Sequence, residues 1–90
     1  MHEMSLMRDL LRKIDTLAAE QNAQRVTAVC VRIGALAHIS AGHFREHFID
    51  GTRGSIAENA RLDIEMNDDT ADPLAQSIVL THIEVEDLVD

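Results

Sequence analysis

The sequence has few of the residues that disulfides, zinc ribbons and aromatic cores require. Its 90 residues include one cysteine, Cys30, which excludes an internal disulfide and a zinc site built from CxxC pairs. Phe44 and Phe48 are the only Phe, Tyr or Trp residues, so the core must be aliphatic. No apolar run approaches the roughly 18 residues of a membrane span. The first residues also lack the basic and apolar regions of a signal peptide. These absences predict a cytoplasmic protein without a membrane partner.

Basic residues are scarce as well. Eight Lys and Arg face sixteen Asp and Glu, for a formal net charge of −8. Binding to nucleic acid or anionic lipid requires clustered Lys and Arg, so neither is an expected partner. A cationic ligand or a basic protein surface fits this charge better. The length suits one domain, residues 1–90, with a modest core.

The hydrophobic pattern predicts five elements, in the order α-β-α-β-β. Apolar residues at spacings of three and four, or in alternation, define helices and strands respectively. The predicted elements are a helix over Met4–Ala23, a strand over Arg25–Ile33, a helix over Ala41–Asp50, a strand over Ala60–Met66 and a strand over Ser77–Glu86. We expect an α+β fold with two helices on one face of a three-stranded mixed sheet.

Several details of these elements follow from single residues. Ser5 is a candidate N-cap for the first helix and Ser40 for the second. The first β-α-β crossover should be parallel and right-handed. The second and third strands could pair as a hairpin across the polar loop that begins at Asn67.

The first three residues offer a chelating set of donors. The α-amine of Met1, the backbone amide of His2 and the His2 imidazole can close adjacent rings in one plane, and Glu3 can add an oxygen or its own amide nitrogen. Nitrogen-rich planar coordination suits Ni(II) or Cu(II) rather than Zn(II) or Mg(II). The competing interpretation is a solvated lead-in to the first helix.

The remaining histidines give weaker predictions. His43 and His47 are four residues apart on the second helix, near Glu46, and such pairs bind zinc or nickel in some proteins. The alternative is that they only flank the buried phenylalanines. His38 is expected to be an ordinary loop residue, and His82 a structural or half-exposed residue of the third strand.

No motif in the chain indicates catalysis. There is no G-x-S-x-G, P-loop or G-x-G-x-x-G pattern. The acidic loop containing Asp68, Asp69 and Asp72 lacks the glycine and terminal glutamate of a calcium loop. We therefore expect a binding protein and not an enzyme.

Four blocks occur in order along the sequence: MHEMSL, RVTAVCVRIGALAHIS, GSIAENARLDIE and IVLTHIEVED. In their order and spacing, they resemble the HypA/HybF family of nickel-insertion proteins. The resemblance implies that Met1, His2 and Glu3 bind Ni(II). It also implies a metallochaperone that delivers nickel to a hydrogenase large subunit with a HypB-like GTPase, and that commonly forms a homodimer.

Two departures from the family pattern qualify this resemblance. The family usually has a zinc domain with two CxxC motifs between the second and third strands. Here a short loop at about residues 67–76 stands in its place, so no zinc is expected. The family also often has an acidic residue near the nickel at position 40, where this chain has Ser40; His38 is a candidate substitute. The alternative function is therefore a metal-free docking or scaffold module that binds the GTPase or a hydrogenase subunit.

Overall fold

The computed structural model describes residues 3–87, and the side chains of residues 5–86. Two helices and three strands follow one another in the predicted order. They are α1 (Glu3–Glu20), β1 (Ala23–Ile33), α2 (Ala41–Thr52), β2 (Arg61–Met66) and β3 (Ile78–Asp87). The predicted α+β class and the α-β-α-β-β order are confirmed.

The ends of α1 differ from the prediction. The helix ends at Glu20, and Asn22 turns the chain with a φ of +54°, a left-handed conformation that asparagine tolerates at helix ends. Ala23 already belongs to β1. Ser5 does not cap the helix, because α1 begins two residues earlier, at Glu3.

The central strand of the sheet is β1, in the spatial order β2-β1-β3. It pairs in parallel with β2, as the β-α-β prediction required, and antiparallel with β3. The alternative hairpin between β2 and β3 is wrong, since β1 lies between them. The physical reason is that β1 carries the most continuous apolar pattern, which is typical of a strand with a neighbour on each side.

Both helices cover the same face of the sheet and enclose an aliphatic core. Phe44 and Phe48 stack within it at a ring-centroid distance of 6.4 Å, and they are 0% and 2% exposed. The cover is incomplete at the margins, where Leu17 is 36% exposed and Met66 is 52% exposed. The principal buried residues are Met7, Leu10, Ile14, Ala18, Val26, Val29, Val31, Ile33, Phe44, Phe48 and Leu62.

The two helices run side by side in the same direction. A two-residue turn joins α1 to β1, so α1 runs antiparallel to that strand; α2 connects two parallel strands and must also run back against them. A Cβ placed on Gly51 of α2 would lie 2.9 Å from Leu11 Cδ1 of α1. The N-termini of both helices therefore lie at one end of the sheet, where β1 ends.

The loop between β2 and β3 is packed against this same end. Its backbone accepts a hydrogen bond from Gly34 N at Ser77 O (2.9 Å) and one from Leu36 N at Ala75 O (2.7 Å). Ala75 is 4% exposed. These two hydrogen bonds hold the loop against the segment that follows β1. No helix within residues 3–87 is long and apolar enough to cross a membrane.

Candidate metal site at the helix N-termini

The N-terminal donors precede or begin α1. Met1 and His2 lie outside the described residues, and Glu3 is the first residue of the helix, with its side chain also outside them. The described part of α1 is fixed by Met7, Leu10 and Ile14, which are 3%, 2% and 1% exposed. Because these residues span two turns of a single helical face, the start of α1 is anchored to the core.

The N-terminus of α2 is capped as predicted. Ser40 has extended backbone angles (φ −79°, ψ 157°), and its Oγ accepts a hydrogen bond from His43 N at 3.1 Å. This bond satisfies one of the helix's unpaired N–H groups. Two residues earlier, His38 is exposed in the loop, with a left-handed φ of +59°. Both His38 and Ser40 therefore lie at the same end of the sheet as the start of α1.

The two histidines of α2 lie on one helix face, and His47 borders α1. Their ring centroids are 5.7 Å apart, with an angle of 46° between the ring planes, so they share one helix face as predicted. His47 is half-buried and lines a groove with Met7, Arg8 and Leu11 of α1. His43 lies one turn nearer the N-terminus of α2 and is exposed.

These two histidines do not form a metal site with other described residues. Across the described side chains, no group of three or more His, Cys, Asp or Glu could hold a metal ion. Asp68 and Asp69 are exposed, and Asp72 accepts a hydrogen bond from Asn67 Nδ2 at 2.8 Å. The oxygens of Asp69 and Asp72 organise the loop. Asp69 Oδ1 and Asp72 Oδ1 each accept from the backbone N–H two residues on.

The face of the sheet that no helix covers carries Cys30 and His82, and each of them pairs with a carboxylate. The Cys30 thiol donates to Asp63 Oδ2 at 3.6 Å. Desolvation raises the pKa of this thiol, and the hydrogen bond to Asp63 and its charge raise that pKa further. A raised thiol pKa leaves less of the nucleophilic and metal-binding thiolate, so Cys30 is poorly suited to either role.

Arginine side chains pair with carboxylates across the same face. Arg61 contacts Asp63 at 3.0 Å and Glu84 at 3.2 Å, and Arg32 contacts Glu65 at 2.6 Å. His82, placed on β3 opposite Cys30, lies 3.5 Å from Glu84. The side chains of these arginine–carboxylate pairs are about half exposed, so solvent screens the attraction and the pairs add little to stability. His82 is half exposed at the sheet surface, as expected.

Comparison with known proteins identifies the family. The family model described as "Hydrogenase/urease nickel incorporation, metallochaperone, hypA" matches residues 1–72 of the 90, well over half of the chain. This chain belongs to the HypA family. The match includes residues 1–3, both helices, β1 and β2, and it confirms the resemblance seen in the sequence blocks.

Individual relatives agree with this assignment. The chain is 44% identical over 64 residues to a hydrogenase maturation factor HypA of Azotobacter chroococcum, covering 71% of this chain and 57% of that protein. It is 38% identical over 66 residues to the HypA of Archaeoglobus fulgidus, covering 73% of this chain and 60% of that protein. The chain thus spans less than two thirds of the length of these curated relatives.

A solved structure has the same fold. The solution structure of the Ni metallochaperone HypA from Helicobacter pylori superposes with a TM-score of 0.80 and covers 98% of this chain, at 18% sequence identity. At this identity the likeness concerns the fold alone.

The sequence offered candidate metal-binding residues but did not indicate how the two helices align. MHE and the His43/His47 pair were two independent candidates for metal binding. The structure places His47 in a groove beside α1, with the N-termini of both helices at one end of the sheet. The alignment of the two helices follows from the parallel pairing of β1 with β2, because this pairing fixes the direction of α2.

Proposed function

We propose that this protein is a nickel metallochaperone domain that binds one Ni(II) through Met1, His2 and Glu3. The observation that carries the proposal is the HypA family match over residues 1–72, because it includes all three donor positions. The donor chemistry supports it independently, since an amine, an amide and an imidazole form the nitrogen-rich set that Ni(II) favours.

The charge of the chain also favours a cationic cargo. The formal net charge is −8. The helix dipoles partly oppose nickel binding. The N-terminal end of each helix carries a partial positive charge, which disfavours a nearby cation by about 0.3–1 kcal/mol. The Glu3 carboxylate and a deprotonated amide supply the negative charge that offsets this. A site of this kind holds nickel reversibly, as a carrier must.

The cargo is delivered, in this proposal, to a nickel enzyme, with a nickel–iron hydrogenase as the first candidate. The relatives are named hydrogenase maturation factors. The partners are then a HypB-like GTPase and the hydrogenase large subunit, and the protein acts as a homodimer or as a monomer within that complex.

It carries nickel and catalyses no reaction. Zinc has no expected role, since the 90 residues contain a single cysteine. The cytoplasmic location stays a prediction.

A docking module without metal is the second candidate. The observation in its favour is at position 40, where the resemblance to the family leads us to expect a carboxylate near the nickel. The Ser40 hydroxyl stands there instead and is engaged in capping α2 through His43 N.

One experiment separates the two functions. Ni(II) is titrated into the wild type and His2→Ala, and both proteins are tested for capture of the HypB-like GTPase. Nickel binding by the wild type alone is the expected result for a carrier. GTPase capture by both proteins, with no nickel binding by either, would establish the docking module instead.

A further inference from the structure

The edge of β3 that faces away from β1 is open. The sheet order is β2-β1-β3, so within residues 3–87 no strand pairs with this edge. Alternate residues of an edge strand direct backbone N–H and C=O groups outward, where another extended chain can pair with them. β3 contains no proline or lysine, the residues that often protect such edges. It pairs regularly with β1 over residues 78–80, before a register shift, and this regular stretch is therefore available to an added strand.

An apolar groove lies beside the same stretch of β3. Its volume is about 410 Å³, and its apolar lining consists of Leu17 of α1 with Val79 and Leu80 of β3. Leu17 is 36% exposed, and the two β3 side chains are half-buried. Filling the groove with an apolar side chain removes this surface from water, which is favourable. The groove therefore offers an added strand a place for one apolar side chain.

Charged side chains of α1 border the groove on both sides of Leu17. Arg12 and Lys13 line it about one turn before Leu17, and Glu20 lines it about one turn after. Lys13 has no ion-pair partner among the described side chains. Arg12 contacts only Asp9, at 3.7 Å, and both side chains are largely exposed. The groove is therefore basic toward the start of α1, apolar in the middle and acidic toward the end of the helix.

The spacing of these three groups matches an extended chain. α1 and β3 both run opposite to β1, so a segment laid along β3 also follows α1. At about 1.5 Å per residue, Lys13 lies about 6 Å from Leu17 along the helix axis and about 10 Å from Glu20. Side chains on one face of a strand recur every two residues, or about 7 Å. Acidic, apolar and basic side chains at positions i, i+2 and i+4 of an extended segment thus meet Lys13, Leu17 and Glu20 in turn.

We propose that a partner protein adds an extended segment to the open edge of β3. On the face toward α1, this segment presents an acidic residue, an apolar residue two positions away and a basic residue four positions away. β3 supplies main-chain hydrogen bonds, and the groove selects the side chains, as in other cases of strand addition to a sheet edge. The charges of the segment cancel on this face, so the net charge of −8 does not repel it. The inference goes beyond nickel binding and does not depend on it.

The test uses the full-length protein labelled with ¹⁵N and two synthetic peptides. The first, acetyl-Thr-Glu-Thr-Leu-Thr-Lys-Thr-amide, has the proposed pattern, and the second has lysine in place of the glutamate. Each peptide is titrated into the wild type, Lys13→Glu and Arg8→Glu while amide chemical shifts and hydrogen exchange are recorded. Arg8→Glu is the matched control, because it changes the net charge equally but lies in the groove between α1 and α2. Thermal unfolding verifies that both variants keep the fold.

The expected result is selective binding at β3. The first peptide should shift the amide signals of Val79 and Leu80 and slow the exchange of the outward-directed amides of β3. Lys13→Glu should bind this peptide about threefold or more weakly than the wild type, because the substitution replaces an exposed ion pair with repulsion. Arg8→Glu should bind it as the wild type does. The second peptide should reverse the order and bind Lys13→Glu more tightly than the wild type, which a merely structural role of Lys13 would not produce.

Three results would overturn the inference. The first is that the peptide with the proposed pattern does not bind the wild type at millimolar concentration. The second is that it binds the wild type and Lys13→Glu equally, or shifts only amide signals away from β3. The third is that the outward-directed amides of β3 are already protected without peptide and lose this protection on dilution, which would show that a second copy of this chain covers the edge. Nickel binding is measured separately, so none of these results contradicts the proposed function.

Discussion

Replacing Gly34 by alanine tests how tightly the β2–β3 loop is packed against the end of β1. A Cβ at Gly34 would lie 2.2 Å from Ala75 O and 2.6 Å from Leu74 O, both backbone atoms that cannot rotate away. Overpacking of this kind costs about 1–3 kcal/mol. If the loop moves away to make room, it also breaks the two hydrogen bonds that Gly34 N and Leu36 N donate to its carbonyl groups. Each of these bonds contributes about 0.5–1.5 kcal/mol to stability.

We therefore expect Gly34→Ala to lower the free energy of unfolding by about 2–6 kcal/mol, out of a total of about 5–15 kcal/mol. The assay is urea unfolding followed by circular dichroism, in which the midpoint should fall by about 1–3 M. Gly42→Ala is the matched control: a Cβ there meets nothing within 4 Å, and alanine in a helix should add about 0.5–1 kcal/mol. A Gly34→Ala protein as stable as the wild type would refute the packed loop.

Three further predictions concern the core, the cap and the thiol. Phe44→Ala should lower the free energy of unfolding, measured by heat or urea, by about 3–5 kcal/mol. Ile49→Ala, at a 55% exposed position, should change it by about 0.5 kcal/mol or less. Equal effects of the two substitutions would contradict the assigned core. Ser40→Ala should cost about 1 kcal/mol and Ser40→Asp almost nothing, because aspartate also caps helices. Since the pKa of Cys30 is raised, alkylation of its thiol at pH 8 should be slower in the folded than in the unfolded protein. Asp63→Asn should accelerate alkylation of the folded protein, because it removes one cause of the raised pKa. Identical alkylation rates in the folded wild type and the folded variant would exclude the contribution of Asp63.

The fold was predictable where local pattern and tertiary packing agree. The apolar spacing of α1 and the Phe44/Phe48 pair both point to faces that the structure buries. Ser40 was identified as a cap because a serine preceding a helix has a defined hydrogen-bonding role. The end of α1 was missed because the alanines of its last turn and Ala23 read as one helical run, although Asn22 was a usable sign of the turn.

Strand order and edge exposure needed the structure. β2 and β3 are both amphipathic, so either could have been paired with the other or with β1. Met66 shares a face with Leu62, but it ends an edge strand beyond the cover of the helices and is 52% exposed. Periodicity assigns a side chain to a face and does not say how far that face is covered.

The nickel-binding role of Met1, His2 and Glu3 stays a prediction, because Met1, His2 and the side chain of Glu3 lie outside the described residues. The N-terminal donors were recognisable because their chemistry and their family resemblance converge on nickel. The relation of His47 to α1 depends on the direction of α2, which follows from a parallel pairing between strands some 30 residues apart, such as Val29 with Leu62. No local pattern in the sequence specifies that relation.

The most direct test of the central claim is whether the free amine of Met1 binds nickel. Ni(II) is titrated calorimetrically into the protein with its native N-terminus and into the same protein carrying Gly-Ser ahead of Met1, which converts the amine into an amide. The account predicts one equivalent bound by the native protein, with the absorption of a nitrogen-ligated nickel, and a loss of that site in the extended protein. Equal affinity and equal spectra in the two proteins would contradict it.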